Sequence, residues 1–278
     1  NKQKILIEEK NKDITDSIRY SKRIQQAILP DGKKFSEFLP ESFICYMPRD
    51  IVSGDFYWYK YLRSNFFDEN KGTILKPLLV FAAADCTGHG VPGAFMSLIG
   101  INLLNASAKE PDVNSPAEAL DYLHENLSII LNENYDINDG MDIAMIAIDL
   151  ETGLTQFAGA NNPVLIFKHN FEGELSLQEI KGDKQPIGAQ HLQTHSKFTN
   201  HTFTLNKGDS LYIFTDGYQD QFGGKDGKKY KYKRFKEFLL SIQHLSMQEQ
   251  KNALYNEFIN WKGDLDQVDD ICIIGIRF

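Results

Sequence analysis

Short apolar runs separated by glycine, asparagine and proline turns dominate the chain from residue 42 onward. Many are rich in β-branched and aromatic residues, which predicts strands at 42–47, 56–62, 78–84, 143–150, 155–158, 164–168, 176–180, 202–205, 211–214 and 271–278. Apolar positions at helical spacing predict helices at 93–109, 117–133, 233–243 and 247–261. Because strands mostly follow strands, the pattern predicts an α+β fold of antiparallel sheets with helices outside them.

The first 29 residues differ in kind from the rest. They are highly charged, contain neither glycine nor proline, and stop at Pro30-Asp31-Gly32, which predicts one helix with a clear terminator. A diluted heptad seam runs along this helix through Ile7, Ile14, Ile24 and Ile28. Two interpretations stay open: an amphipathic helix packed on its own domain, or a connector that pairs two copies and relays a signal. We therefore divide the chain into a connector helix at 1–29 and a globular domain at 30–278.

Composition narrows the class of protein. The chain has 278 residues, 42% hydrophobic content and a net charge of -8, from 30 basic and 38 acidic side chains. This balance disfavours a nucleic-acid partner, because such binding needs basic surface to neutralise phosphates. The chain has no apolar stretch of membrane-spanning length, and its three cysteines lie within or at the end of apolar runs, which is typical of a cytoplasmic protein. Since it begins with Asn1 rather than methionine, we expect a module of a longer protein with an upstream sensor region.

Aspartates at the ends of apolar runs are the candidate chemistry. Asp85 and Asp216 each end a predicted strand before a glycine-bearing turn, Asp55 precedes another strand, and Asp269-Asp270 precede the last one. Two carboxylates about 4 Å apart repel by roughly 4 kcal/mol at an effective dielectric near 20. A converging cluster therefore requires protons or cations to neutralise it. Oxygen donors of this kind predict a site for hard cations.

Two other motifs compete with this interpretation. The segment Gly88-His89-Gly90-Val91-Pro92-Gly93 follows a strand and opens a helix, as a dinucleotide-binding loop does. Such a unit next needs a parallel strand, but a second predicted helix follows, which disfavours it. The basic run at 225–234 predicts either a solvated flap or a docking surface for an acidic phosphoprotein.

The motif blocks carry a family resemblance. Ser-Gly-Asp-Phe-Tyr at Asp55, Asp-Cys-Thr-Gly-His-Gly-Val-Pro-Gly-Ala-Phe-Met at Asp85, Ala-Asn-Asn-Pro at 160–163, Phe-Thr-Asp-Gly at Asp216 and Asp-Asp-Ile at Asp269 occur in order. They resemble the signature blocks of the PPM (protein phosphatase type 2C) superfamily, in its bacterial SpoIIE-like serine phosphatase branch. The resemblance extends from about residue 42 to residue 278. It implies a sandwich of two antiparallel β-sheets, flanked by helices on both outer faces, with a binuclear Mn²⁺ or Mg²⁺ site.

Carried over by motif, the resemblance implies a ligand set and a reaction. Metal ligands would be the carboxylates of Asp55, Asp85, Asp216 and Asp269 together with the backbone carbonyl of Cys86. A water bridging two ions would attack phosphorus without a covalent enzyme intermediate.

Other residues have weaker assignments. Asp220 matches a position for a third metal or an outer layer of the site. Asp139 and Asp142 are weaker candidates, and a register error of one would exchange Asp269 and Asp270.

Two residues near these acids have alternative roles. His89 could protonate the leaving oxygen, but we favour a structural role in which it hydrogen-bonds the glycine turn. Arg49 could clamp a phosphate with two N–H groups, or lie on the surface.

The resemblance implies a metal-dependent protein serine/threonine phosphatase acting in bacterial signal transduction. Its substrate would be a phosphoserine or phosphothreonine protein, such as an anti-sigma-factor antagonist-like domain. The alternative is a catalytically silent module that keeps the fold and binds a partner. The four acidic positions argue against the silent module, because mutually repelling carboxylates have no structural use.

Overall fold

The computed structural model of the chain describes residues 2–68, 72–132, 139–169, 174–188 and 196–278. Within these ranges the helices are α1 Lys2–Ile28, α2 Gly32–Phe38, α3 Gly90–Ser107, α4 Pro116–Asn132, α5 Gly217–Asp220, α6 Tyr232–Ser241 and α7 Met247–Lys262. The strands are β1 Ser42–Met47, β2 Phe56–Asp68, β3 Gly72–Cys86, β4 Met141–Asp149, β5 Leu154–Ala160, β6 Val164–His169, β7 Leu175–Ile180, β8 His201–Thr204, β9 Ser210–Phe214, β10 Phe222–Gly223, β11 Lys228–Lys229 and β12 Ile271–Arg277.

Two five-stranded antiparallel sheets form a sandwich. The first sheet has the order β1-β12-β9-β6-β7, the second has the order β2-β3-β4-β5-β8, and β10 and β11 form a separate hairpin. The facing sides meet in one apolar core, in which Phe81 and Ile146 of the second sheet join Ile213 and Ile274 of the first. The predicted α+β sandwich is confirmed.

Helices cover both outer faces, as predicted. Trp58 and Met145 on the second sheet share a core with Leu104 of α3 and Leu123 of α4. The outer face of the first sheet forms another core, whose buried helical residues are Tyr218, Phe235, Leu239, Met247, Leu254 and Phe258. Side chains alternate between the two faces of a strand, so a sheet that is apolar on both faces needs a second covering layer.

The predicted strands are all present, with shifted ends. The strands β2 and β3 extend beyond the predicted 56–62 and 78–84. Helix α2, helix α5 and the β10–β11 hairpin were not predicted. The break at residues 30–32 both ends α1 and starts α2, because the Asp31 carboxylate accepts a hydrogen bond from the Lys33 amide at 3.0 Å. The predicted helix end at 133 lies outside the described residues.

Helix α1 leaves its apolar seam uncovered. Ile7 and Ile14 are 60% and 57% exposed, and Ile24 and Ile28 are also exposed. Gln25 is the buried residue of this helix, at the contact with α3. Most of the seam is therefore exposed, although Ile24 lines a cavity with Ala94 and Leu98 of α3, and the connector interpretation stays a prediction. In the part of the chain that the structure describes, no helix is long and apolar enough to cross a bilayer.

Candidate metal centre

Strand pairing brings the acidic strand ends to one edge of the sandwich. In the second sheet, the start of β2 lies beside the end of β3, with Phe56 opposite Ala84, so Asp55 and Asp85 become neighbours. In the first sheet, antiparallel pairing of β12 with β9 brings Asp269 and Asp216 to the same end. The two sheets are stacked face to face. Their acidic ends therefore converge.

The carboxylates lie within hydrogen-bonding reach of one another. Asp85 reaches Asp55 on one side and Asp216 on the other. Asp55 is buried, and its Oδ2 accepts a hydrogen bond from the Thr215 hydroxyl at 2.6 Å. In the described residues, no three His, Cys, Asp or Glu side chains stand in the arrangement of a preformed metal site.

Burial raises the pKa of every carboxyl in this cluster. It raises the pKa of Asp85 to about 8, with a further contribution from Asp216, and that of Asp216 to about 6, with a further contribution from Asp220. Burial first, and then Asp85, raise the pKa of Asp55 well above its usual value. The pKa of Asp269 is also raised, mainly by burial. Oxygen donors of this kind fit a hard cation such as Mn²⁺ or Mg²⁺.

These raised pKa values predict how the free energy of unfolding depends on pH when a chelator keeps the protein free of metal. The native form holds protons on Asp85 and Asp216 that the unfolded chain releases near pH 4, so the native state binds more protons above that pH. The free energy of unfolding should therefore fall as the pH rises from about 5 to about 8. Urea unfolding at both pH values measures the trend, and Asp85→Asn is the control because it lacks one of these protons. A stability that rises over this range would contradict the assigned protonation.

The terminal pair of acids has two different environments. Asp270 is buried, and its two carboxylate oxygens accept hydrogen bonds from the backbone amides of Arg49 at 2.7 Å and Gly54 at 2.8 Å. Asp269 adds to the raised pKa of Asp85 and Asp216, and both acids add to that of Asp55, Asp270 more than Asp269. Through its two hydrogen bonds Asp270 also ties the segment before β2 to the start of β12.

Glycines allow the three segments to approach closely. A Cβ atom on Gly54 would lie 2.5 Å from the Gly88 carbonyl oxygen, and one on Gly93 would lie 2.4 Å from the same oxygen. The glycine pattern at 88–93 therefore serves backbone packing beside the acids. The dinucleotide interpretation is wrong, because β3 pairs antiparallel with both of its neighbours and no βαβ unit exists there.

His89 lies at the rim of a cavity of about 370 Å³ that is also lined by Asp85, Asp142 and Asp269. Its Nδ1 lies 3.0 Å from the Asp50 carboxylate. The predicted hydrogen bond to the glycine turn is therefore wrong: the ring pairs with a carboxylate in an adjacent loop. The His89 ring also lowers the pKa of Asp269, so it faces the acidic cluster.

Three other candidate residues surround the cluster. The Arg49 guanidinium donates to the Val268 carbonyl at 2.9 Å and lowers the pKa of Asp269. The Cys86 carbonyl oxygen faces Gly54, 3.3 Å from the position a Cβ would take. Asp220 forms an ion pair with Lys229 at 2.8 Å and raises the pKa of Asp216, which places it beside the cluster.

Sequence reasoning missed or underrated residues that support the acids. Thr215 accepts a hydrogen bond from the Cys272 amide while it donates to Asp55, and the Thr-Asp-Gly motif was its signal. Asp142 lies opposite Asp85 in the β3–β4 register and accepts a hydrogen bond from Asn161 at 2.8 Å. The Asp139 carbonyl oxygen faces Gly188, 3.4 Å from the position that a Cβ there would take.

Gln25 of α1 contacts the segment that carries Asp55. Its side-chain amide donates to the Ser53 carbonyl at 2.7 Å and to the Ser97 hydroxyl at 2.9 Å, and it accepts from the Ser53 amide at 3.2 Å. No sequence signal separates this glutamine from its exposed neighbour Gln26. The contact joins the N-terminal helix to the residues immediately before Asp55.

Comparison with known proteins agrees with this geometry. Residues 78–278 match the family model of stage II sporulation protein E (SpoIIE). The chain belongs to the SpoIIE family. A search of the curated proteins found no significant match.

Solved structures similar to this SpoIIE-family chain share its fold. The SiaA-PP2C domain of Pseudomonas aeruginosa has 29% identity and a TM-score of 0.81, over 96% of this chain and 98% of that one. The PP2C phosphatase domain with a fragment of the regulatory domain of SpoIIE from Bacillus subtilis has 19% identity and a TM-score of 0.62, over 85% and 61%. RsbX in complex with magnesium has 17% identity and a TM-score of 0.51, over 85% and 94%. The chain therefore has the PP2C phosphatase fold.

Proposed function

We propose that this SpoIIE-family domain is a metal-dependent protein serine/threonine phosphatase. The observation that carries the proposal is the convergence of Asp55, Asp85, Asp216 and Asp269 at one edge of the sandwich. A module used only for binding has no need of four buried or half-buried acids that raise each other's pKa.

The proposed roles combine what the family resemblance implies with the contacts of each residue. The four acids and the Cys86 carbonyl would hold two ions, and Asp220 would take a third ion or support Asp216. When bound, Mn²⁺ or Mg²⁺ lowers the pKa of a water molecule and neutralises charge on the phosphoryl group. Thr215 fixes the Asp55 carboxylate.

Two residues at the rim would act on the phosphoryl group. Arg49 has N–H donors beyond the one given to Val268, and these would orient a phosphoryl oxygen. His89, whose ring is paired with Asp50, would hold or deliver a proton at the cavity rim.

The proposed substrate is a phosphoserine or phosphothreonine on a regulatory protein, such as an anti-sigma-factor antagonist-like domain. Related structures include a SpoIIE phosphatase domain joined to part of a regulatory domain. We propose the same arrangement here, with residues 1–29 as a connector from an upstream sensor region and residues 30–278 as the phosphatase domain. The exposed seam of Ile7, Ile14, Ile24 and Ile28 would pair two copies weakly.

Metal removal is the direct test of this proposal. The purified chain should hydrolyse an aryl phosphate and a phosphoserine peptide with added Mn²⁺ or Mg²⁺, and lose this activity in chelator, because the acids hold only protons without a cation. Phosphate release over a manganese titration measures the effect. Full activity in chelator would exclude the metal mechanism, and no hydrolysis of either compound would favour the silent module.

The contact between α1 and the site predicts that Gln25 controls metal affinity. Gln25→Ala removes the hydrogen bonds that hold Ser53, so Asp55 should be less well placed and the manganese concentration for half-maximal activity should rise about 10-fold or more. Gln26→Ala is the matched control, because Gln26 is exposed on the same helix. Equal manganese titrations for the two variants would show that α1 is only a tether.

A further inference from the structure

A second cleft lies beside the acidic cluster. It has a volume of about 390 Å³, and Asp142, Thr215 and Asp216 form part of its lining. Asp142 also lines the 370 Å³ cavity that contains Asp85 and Asp269. The two cavities are therefore adjacent, and a peptide whose phosphoserine reaches the acids has room for its flanking residues in the second cleft.

Polar side-chain atoms without partners concentrate in this cleft. Across the described residues, the buried side-chain atoms that lack a hydrogen-bond partner are Asn162 Nδ2, Gln219 Oε1 and the Tyr232 hydroxyl. All three residues line the second cleft. The Tyr232 hydroxyl lies beside Glu179, which with burial raises the pKa of the phenol, so the two amides are the groups available to a ligand. Buried polar atoms without partners are costly, which makes a ligand the natural partner.

The two amides have the chemistry of a partner for a peptide group. Asn162 Nδ2 is a donor that suits a main-chain carbonyl, and Gln219 Oε1 is an acceptor that suits a main-chain N–H. Each side-chain amide carries both an N–H donor and a carbonyl acceptor, as a peptide group does. The pair therefore recognises a main chain and is indifferent to the identity of its side chains.

The same cleft contains two lysines beside three acids, Asp142, Glu179 and Asp216. Lys181 and Lys184 line it, and neither forms an ion pair with a described residue. The nearby acids have other partners: Glu179 pairs with Lys236 at 2.9 Å, Asp142 accepts a hydrogen bond from Asn161 at 2.8 Å, and Asp183 accepts hydrogen bonds from the Thr199 amide and hydroxyl. Asp216 belongs to the proposed ligand set, where a cation would neutralise it. The two lysines thus suit acidic side chains of a ligand.

We propose that this cleft is the subsite for the residues flanking the phosphoserine, and that it selects acidic flanking residues. The inference rests on the proposed phosphatase function and adds a substrate preference to it. Asn162 and Gln219 bind the main chain of the substrate, while Lys181 and Lys184 pair with glutamate or aspartate beside the phosphoserine. Exposed ion pairs are individually weak, so the preference is moderate and falls with salt.

The test compares two phosphoserine peptides of the same length, one with glutamates on both sides of the phosphoserine and one with glutamines. Phosphate release in Mn²⁺ gives kcat/KM for each. Fluorescence anisotropy with the corresponding phosphonate peptides, which cannot be hydrolysed, gives binding. We expect the glutamate peptide to be favoured about threefold to tenfold in both measurements at low salt.

Two variants separate the roles. Lys181→Ala/Lys184→Ala should abolish the preference, whereas Gln219→Ala should weaken binding of both peptides alike by about twofold to tenfold. Lys33→Ala/Lys34→Ala is the matched control and should keep the preference, because α2 contacts β1, at the opposite edge of the sheet from β7.

The outcomes distinguish the two proposals. Equal binding of both peptides by the unmodified protein, or a preference that persists in Lys181→Ala/Lys184→Ala, would overturn the subsite. The subsite would also be overturned if the preference for the glutamate peptide is lost only in Lys225→Ala/Lys228→Ala. That result would assign docking to the β10–β11 hairpin. Phosphonate binding with the expected preference, but no phosphate release from any compound, would support the subsite and refute the phosphatase.

Discussion

Asp85→Asn and Asp216→Asn should each abolish phosphatase activity while leaving the fold intact or stabilised. Each substitution removes a carboxylate from the proposed ligand set, and the loss should exceed the roughly 10- to 100-fold typical of residues one layer further out. In chelator each should raise the free energy of unfolding by about 0.5–2 kcal/mol, because it removes a buried acid that its neighbours destabilise. Manganese-dependent phosphate release and thermal unfolding in chelator measure the two effects.

The matched control is Asp226→Asn. Asp226 is exposed and forms an exposed ion pair with Lys228 at 3.4 Å, so its removal should change neither activity nor stability. Retained activity in Asp85→Asn or Asp216→Asn would remove that residue from the ligand set. Strong destabilisation in chelator would show that the residue is a structural acid.

Asp269→Asn and Asp270→Asn should have opposite effects although the residues are adjacent. Asp269→Asn should lose activity and keep stability within about 0.5 kcal/mol, because an amide oxygen can still accept from the Asp270 amide. Asp270→Asn should lose about 1.5–3 kcal/mol, because an amide cannot accept from both the Arg49 and Gly54 backbone N–H groups. Urea unfolding in chelator and manganese titrations separate the two variants.

The pattern within this pair is the informative result. If Asp270→Asn is as stable as the unmodified protein and Asp269→Asn is not, then Asp269 is the structural residue and the two roles are exchanged. If both variants keep full activity, the start of β12 contributes no ligand.

Much of the fold was predictable because local pattern and tertiary environment agree. Strands such as β9 and β12 are continuous apolar runs, and the sandwich buries them on both faces. Helix α2 was not predicted because it is short and depends on one capping contact from Asp31. The β10–β11 hairpin was not predicted because a run of lysines does not show the alternation of apolar and polar residues that indicates a strand.

The site was predictable only in part. Acids that end apolar runs can be read from the sequence, since a charge at the end of a buried strand needs compensation. The hydrogen-bond partners of those acids cannot be read from the sequence. The pairs His89–Asp50, Thr215–Asp55 and Gln25–Ser53 join residues from different elements, and no spacing along the chain encodes them.

The sequence by itself determined the α+β class, the family and the acidic strand ends, because these depend on local periodicity and on short motifs in a fixed order. Tertiary structure alone decided the partners of the terminal pair, since the Asp270 carboxylate accepts hydrogen bonds from backbone amides more than 200 residues away along the chain. It also decided that Asn162 and Gln219 share a cleft with Lys181 and Lys184. The physical reason is that stacking two antiparallel sheets brings distant strand ends together, and the environments so created belong to no single segment.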